Sequence, residues 1–160
     1  MKLLVIGYGN PSRNDDGVGW FVVEQLQAAG LSGVELQTAH QLEVDHADTI
    51  GKFDTVVFVD AAVPQAPERV NRTVVKPRLQ GHPVAHYLTP ADLLALTSSL
   101  YGQEPRAILF SVRGHDFNFG TSLSPATEHA AQNVVDEIVR LAAMLAGASP
   151  RQRRSKAAHA

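Results

Sequence analysis

Sixteen acids and seven histidines are the raw material for chemistry in this 160-residue chain, which has no cysteine. Without thiols, neither a disulfide nor a thiolate metal site can form, so any metal must be held by His, Asp or Glu. Three acids stand out by position. Asp15 and Asp16 close the segment Gly7-Tyr8-Gly9-Asn10-Pro11-Ser12-Arg13-Asn14-Asp15-Asp16-Gly17, and Asp60 ends the apolar run Thr55-Val56-Val57-Phe58-Val59. An acid at a helix start commonly caps backbone N–H groups, a contribution of about 1 kcal/mol. That is the expected role of Asp15, while Asp16 fits either a cap or a functional carboxylate. Asp60 is harder to explain structurally, because a carboxylate at the end of a buried strand is costly unless something uses it. Two carboxylates facing each other in a partly dry cleft either share a proton or bind a cation.

Whether Asp16 and Asp60 meet depends on the elements that carry them. Leu3-Leu4-Val5-Ile6 is an apolar strand, expected over residues 2–7. Val18, Phe21, Val22 and Leu26 recur at helical spacing, so a helix is expected over roughly 16–29, ended by Gly30. A short second strand follows at residues 34–38, giving a parallel β–α–β unit with a right-handed crossover. The polar stretch from His40 to Asp48 is expected to form a second helix ending near Gly51, and residues 55–60 the central strand. The loop with Pro64 and Pro67 is too short for a crossover helix. The alternating strand Arg69–Val75 therefore runs antiparallel to the third strand or lies at an edge. A loop over residues 77–89 leads to Thr89-Pro90, an N-cap with Pro at N1, and a helix through Leu93, Leu94, Leu96 and Leu100. The last strand is residues 107–112. The last helix starts at Ser124-Pro125 and aligns Ala130, Val134, Ile138, Leu141 and Leu145. The expected fold is α/β, a three-layer α/β/α sandwich with a mostly parallel five-stranded sheet. In such a sheet strands one and three flank the topological switch point, so Asp16 and Asp60 face each other across one crevice.

The first strand and its glycine loop also begin like a dinucleotide fingerprint, but three features oppose it. Ser12 stands at the third glycine position, the loop is too long, and the second strand ends in Thr38 rather than an acid. Asp15 and Asp16 would moreover repel a pyrophosphate. Among the histidines, His129 and His159 are expected at the surface. His82 and His86 fall in the loop before Thr89-Pro90, with His86 the better placed to fold back over the sheet edge. His40 is expected beside Asp16 or at the surface, and His115 and Asp116 at the sheet's carboxyl edge.

The sequence resembles the nickel–iron hydrogenase maturation endopeptidases over roughly residues 1–146. The likeness rests on Leu3–Gly19 (strand, Gly-x-Gly-Asn, acidic pair, Gly-x-Gly), Val56–Ala61 with Asp60, Ala85-His86 before a Leu-rich helix, and Gly120–Pro125 before the last helix. The resemblance implies an open metal site made by Asp16, Asp60 and His86, with Asp16 where many members carry Glu. It also implies an activity: removal of a C-terminal extension from the hydrogenase large-subunit precursor once nickel has been inserted, the nickel being read through those ligands. Two carboxylates and an imidazole suit a divalent ion of intermediate hardness and bind it weakly alone, as a sensor of substrate nickel requires. Cleavage would follow from metal polarisation of the carbonyl, or from Asp16 or Asp60 activating water. Thr38-Ala39-His40-Gln41-Leu42 replaces the acidic Gly-Gly-Thr-type segment of many relatives and bears on substrate recognition. A non-catalytic nickel-sensing or metallochaperone module using the same residues is the alternative. A nucleoside- or phosphate-handling enzyme ranks third, with only Arg13 offered by the first loop.

Residues 147–160 are expected to form a basic, disordered tail. Four of its residues, Arg151, Arg153, Arg154 and Lys156, are cationic, and without them the net charge falls from −2 to −6. A body of that sign is not a nucleic-acid-binding face. No apolar run reaches the length of a membrane span or a signal peptide. A cytoplasmic monomer is the expectation.

Overall fold

The computed structural model describes residues 2–79 and 87–147. Its elements in chain order are β1 (Leu3–Tyr8), a 3-10 turn (Asn14–Gly17), α1 (Val18–Ala29), β2 (Val34–Ala39), α2 (Asp45–Ile50) and β3 (Thr55–Ala62). They continue with β4 (Val70–Val74), α3 (Pro90–Tyr101), β5 (Arg106–Arg113) and α4 (Pro125–Gly147). The sheet order is β2-β1-β3-β5-β4. β1 pairs in parallel with both β2 and β3, and β3 in parallel with β5. β4 closes one edge antiparallel to β5, the second of the two positions its short connection to β3 left open.

The alternation of side chains along the strands sorts the core into two layers. Leu3, Val5, Val57, Val59, Phe110 and Val112 face α1 and α4. Leu4, Ile6, Val56, Phe58 and Ala107 face α2 and α3. The molecule is therefore the expected three-layer sandwich. Val56 through Val59 are fully buried, as a central parallel strand covered on both faces must be. At about 1.5–3 kcal/mol per side chain, their burial fixes the register that carries Asp60.

Two glycines set the closeness of α1 to the sheet. A Cβ on Gly19 would lie 2.6 Å from the Val59 carbonyl oxygen, and one on Gly7 would collide with the Gly19 backbone. With no side chain at either position, α1 lies directly on the carboxyl ends of β1 and β3. At the other start signal, Thr89 caps α3: its hydroxyl accepts from the Asp92 N–H at 3.1 Å, and the Asp92 carboxylate accepts from the Thr89 N–H at 2.9 Å.

Two expectations for the helices are corrected. The segment from His40 is not helical until Asp45: α2 has six residues, and the chain before it is pinned by Leu42, which is 2 % exposed. α1 begins at Val18 rather than 16, with Gly17 as its N-cap and no side-chain cap.

Candidate active site

Asp16 and Asp60 come from opposite sides of the switch point. The register Gly7↔Val59 brings the end of β1 beside the end of β3, and the 3-10 turn carries Asp16 back over that junction. Both acids are partly buried. The Asp16 carboxylate accepts from the Asn10 N–H at 2.8 Å, and Asp60 accepts from the Ala61 N–H at 2.8 Å. These bonds hold the carboxylates in place and leave lone pairs on both.

Their electrostatics set Asp60 apart. Burial raises its pKa first, the Asp16 charge raises it further, and hydrogen bonds from Ala61 and Tyr8 only partly oppose this. The result is a carboxyl pushed up to about 6. Tyr8 shares the consequence: burial and the Asp60 charge together raise its proton affinity, keeping the phenol a neutral donor to Asp60. Tyr8 was missed by the sequence reading, although a signal existed. Leu4, Ile6 and Tyr8 share a face of β1, as Val56, Phe58 and Asp60 do of β3, so the two-residue period places the phenol beside the acid.

Asp15 behaves differently from its neighbour. It is fully buried and does not cap α1, contrary to the expectation. Its carboxylate instead reaches across the fold to the segment after β5. One oxygen accepts from the His115 and Asp116 N–H groups at 2.8 and 3.0 Å and from the Ser124 hydroxyl at 2.8 Å. The other accepts from the Ser124 N–H at 2.7 Å. Burial opposes the charge, but these four donors outweigh it and hold the pKa below the ordinary aspartate range. Asn14 extends the same seam, donating to the Asp116 carboxylate at 3.1 Å and accepting from the Ser122 N–H at 3.2 Å. The loop bearing Asp16 is thereby clamped from below.

Trp20, the single tryptophan, clamps it from the other side. Its indole N–H is shared between the carbonyls of Gly9 and Ala39, at 3.0 and 3.1 Å. That bond ties the loop after β1 to the end of β2. The exposed His40 packs edge-on to the same ring, 5.3 Å between centroids. His40 thus stands at the Trp20 side of the loop, and His115 is exposed beyond Asp15. His129 is exposed on α4, as expected. His82 and His86 lie outside the described residues, as does the tail from residue 148. Among the described residues, no group of three or more His, Asp or Glu forms a metal cluster, and no helix is long and apolar enough to cross a membrane.

No family model matches the sequence, and no curated protein matches it. Solved structures do. A nickel–iron hydrogenase maturation protease, HycI, from Thermococcus kodakarensis superposes with a TM-score of 0.68 at 21% identity, covering 88% of this chain and 92% of that one. The hydrogenase maturating endopeptidase HybD from E. coli gives 0.67 at 20% identity, over 92% and 94%. A hydrogenase 2 maturation peptidase from a Thaumarchaeota archaeon gives 0.66 at 22% identity, over 88% and 97%. Across nearly its whole described length, this chain has the fold of the hydrogenase maturation proteases.

Proposed function

We propose that this protein is an endopeptidase that removes a C-terminal extension from the nickel-loaded precursor of a nickel–iron hydrogenase large subunit. The observation that carries this reading is the pairing of Asp16 and Asp60 at the switch point of a fold shared with such proteases. The sequence resemblance at Leu3–Gly19 and Val56–Ala61 bears on the same two residues.

In this reading, nickel is cargo presented by the substrate. The donor set fits that role. Asp16 and Asp60 each keep lone pairs free, and the repulsion that raises the Asp60 pKa is relieved by a divalent cation between them. His86 is the proposed third ligand. A site of two carboxylates and one imidazole has no soft ligand and depends on the precursor to complete it. Asp16 and Asp60 are also the proposed catalytic carboxylates. A carboxylate with a raised pKa accepts a proton from water more readily than an ordinary aspartate, and Asp60 has that property at the sheet edge. Tyr8 keeps the Asp60 carboxyl oriented by donating to it. The place of action is the cytoplasm, with the protease monomeric.

Mass spectrometry of a cognate precursor, with and without nickel loaded, tests the proposal. Loss of a C-terminal peptide from the nickel-loaded precursor alone is expected. Retention of nickel by this protein with no cleavage would replace the reading with a metal-carrying module. Cleavage indifferent to nickel would remove the sensing role.

A further inference from the structure

A second feature of the sheet's carboxyl edge has no part in the chemistry above. One strand over from Asp60, a cavity of about 390 Å³ opens between the end of β5 and the first turns of α4. Its titratable lining residues are Arg69, Arg113, His115 and His129, with no acid among them. An adjoining cavity of about 470 Å³ shares Arg69, Arg113 and His129. That second cavity also touches two acids, Glu68 and Glu137, of which Glu137 is committed to Arg72 at 3.3 Å. On a body that is otherwise acidic, the first cavity is a local reversal of charge.

Arg113 is only partly used by the fold. One guanidinium nitrogen donates to the Ala66 carbonyl at 3.1 Å, while its Nε is buried and without a hydrogen-bond partner. A buried donor left unpaired is costly, by about 1–3 kcal/mol, and such groups are rare enough to call for a partner. Arg69 is exposed and held by its backbone, whose carbonyl accepts from the Arg113 N–H at 2.9 Å. Its guanidinium makes no hydrogen bond or ion pair among the described residues. The Arg69 guanidinium fork, the Arg113 guanidinium nitrogen not bonded to Ala66, and two imidazoles on one concave wall suit an anion, a carboxylate above all.

We propose that this cavity is a carboxylate-binding subsite that holds the substrate segment crossing the Asp16–Asp60 cleft. The inference deepens the protease reading and rests on it. The register supports the placement: Arg113 lies opposite Ala62, two residues past Asp60 on β3. With strands about 4.8 Å apart and about 3.3 Å per residue, the Cα of Arg113 is roughly 8 Å from that of Asp60. Asp60 faces the layer of α2 and α3 and the cavity the layer of α4, so an extended peptide reaches both by passing over the carboxyl edge of the sheet, a path of roughly four residues at about 3.3 Å each. The wall is also tied to the cleft, because the His115 N–H bonds to Asp15, the immediate neighbour of Asp16. The carboxylate comes either from the C-terminus of the released extension or from an acidic side chain within it.

The test is an NMR titration of the full-length, ¹⁵N-labelled protein with three acetylated hexapeptides of Ala and Leu. One ends in a free carboxylate, one in an amide, and one in an amide but with an internal Glu. Inorganic phosphate is a fourth probe. The free-acid or the Glu peptide is expected to shift the resonances of Arg69, Arg113 and His129, with the amide peptide inert. Binding by the free acid alone assigns the subsite to a C-terminus, and binding by the Glu peptide assigns it to a side chain. Arg69→Ala and His129→Ala, both at exposed positions, should weaken binding at least tenfold. Equal binding of all three peptides, binding of phosphate alone, or affinities unchanged in both variants would overturn the proposal. Because no cleavage step is involved, its failure leaves the protease reading standing, and a failed cleavage assay leaves this titration interpretable.

Discussion

Asp15 and Asp16 are adjacent in sequence and opposite in physics. Asp15 is fully buried and has four hydrogen-bond donors on its two oxygens, so the fold stabilises its charge. Asp16 and its partner Asp60 each have one backbone donor and face each other's charge, and Asp60 is held at a pKa of about 6. A carboxylate fully satisfied by the protein is an anchor. A pair left partly unsatisfied in a cleft is available to something that arrives. The difference separates what holds the loop from what the loop presents.

The largest effect should come from breaking the presented side. Asp60→Asn keeps the acceptor for the Ala61 N–H but removes the charge, and precursor cleavage should fall by about 10²–10⁴-fold. The same variant should gain stability. An aspartate whose pKa is raised on folding costs stability above its unfolded pKa, and that cost grows as pH rises from about 4 through 6. At pH 7, urea unfolding should show Asp60→Asn more stable by about 1–2 kcal/mol. A variant that is inactive and less stable would count against this account.

Breaking the anchor should do the reverse. Asp15→Asn replaces a charged acceptor facing four donors and brings an amide N–H₂ against them, which should cost about 3 kcal/mol or more in urea unfolding. The sign with pH is also opposite to that of Asp60. The Asp15 pKa is depressed, so its contribution is present above the unfolded value near 4 and lost as pH falls through the lower folded value. Thermal melts below pH 4 should converge for wild type and Asp15→Asn. Parallel curves down to pH 2 would show that the anchor is not ionic.

Smaller changes sharpen the contrast. Tyr8→Phe removes a donor that lowers the Asp60 pKa, so that pKa should rise. If ionised Asp60 is needed, the acid limb of the kcat/KM profile should move to higher pH by a fraction of a unit, with little change on the plateau. An unmoved limb would remove Asp60 as the titrating group. Trp20→Phe deletes the N–H shared by the Gly9 and Ala39 carbonyls and should cost about 1 kcal/mol. Cleavage per folded molecule should stay within a few-fold, because Asp15 and Asn14 still hold the loop bearing Asp16.

Much of the fold was legible because its signals are local. The apolar, mostly β-branched run at residues 55–59 identified the central strand, Thr89-Pro90 started α3, and the short link through Pro64 and Pro67 left β4 either antiparallel to β3 or at an edge, of which the edge is what forms. Topology alone then brought Asp16 toward Asp60. The rest was hidden by distance along the chain. The donors to Asp15 lie 100–109 residues away, and no periodicity links them, so an anchor looked like a helix cap. The segment before α2 was polar enough to resemble a helix, but burial of Leu42 decided its path. Tyr8 was within reach of the strand alternation, whereas the shared hydrogen bond of the Trp20 N–H depends on how three separate segments converge.

The most direct test compares the two neighbours on one substrate. Cleavage of nickel-loaded precursor per folded molecule would be measured for wild type, Asp15→Asn and Asp16→Asn, alongside urea unfolding of each. The account predicts that Asp15→Asn loses stability and retains cleavage within a few-fold, while Asp16→Asn, whose side-chain oxygen still accepts from Asn10, retains stability within about 1 kcal/mol and loses cleavage by at least about 10²-fold. Cleavage that survives Asp16→Asn, or that falls equally in both variants, would contradict it.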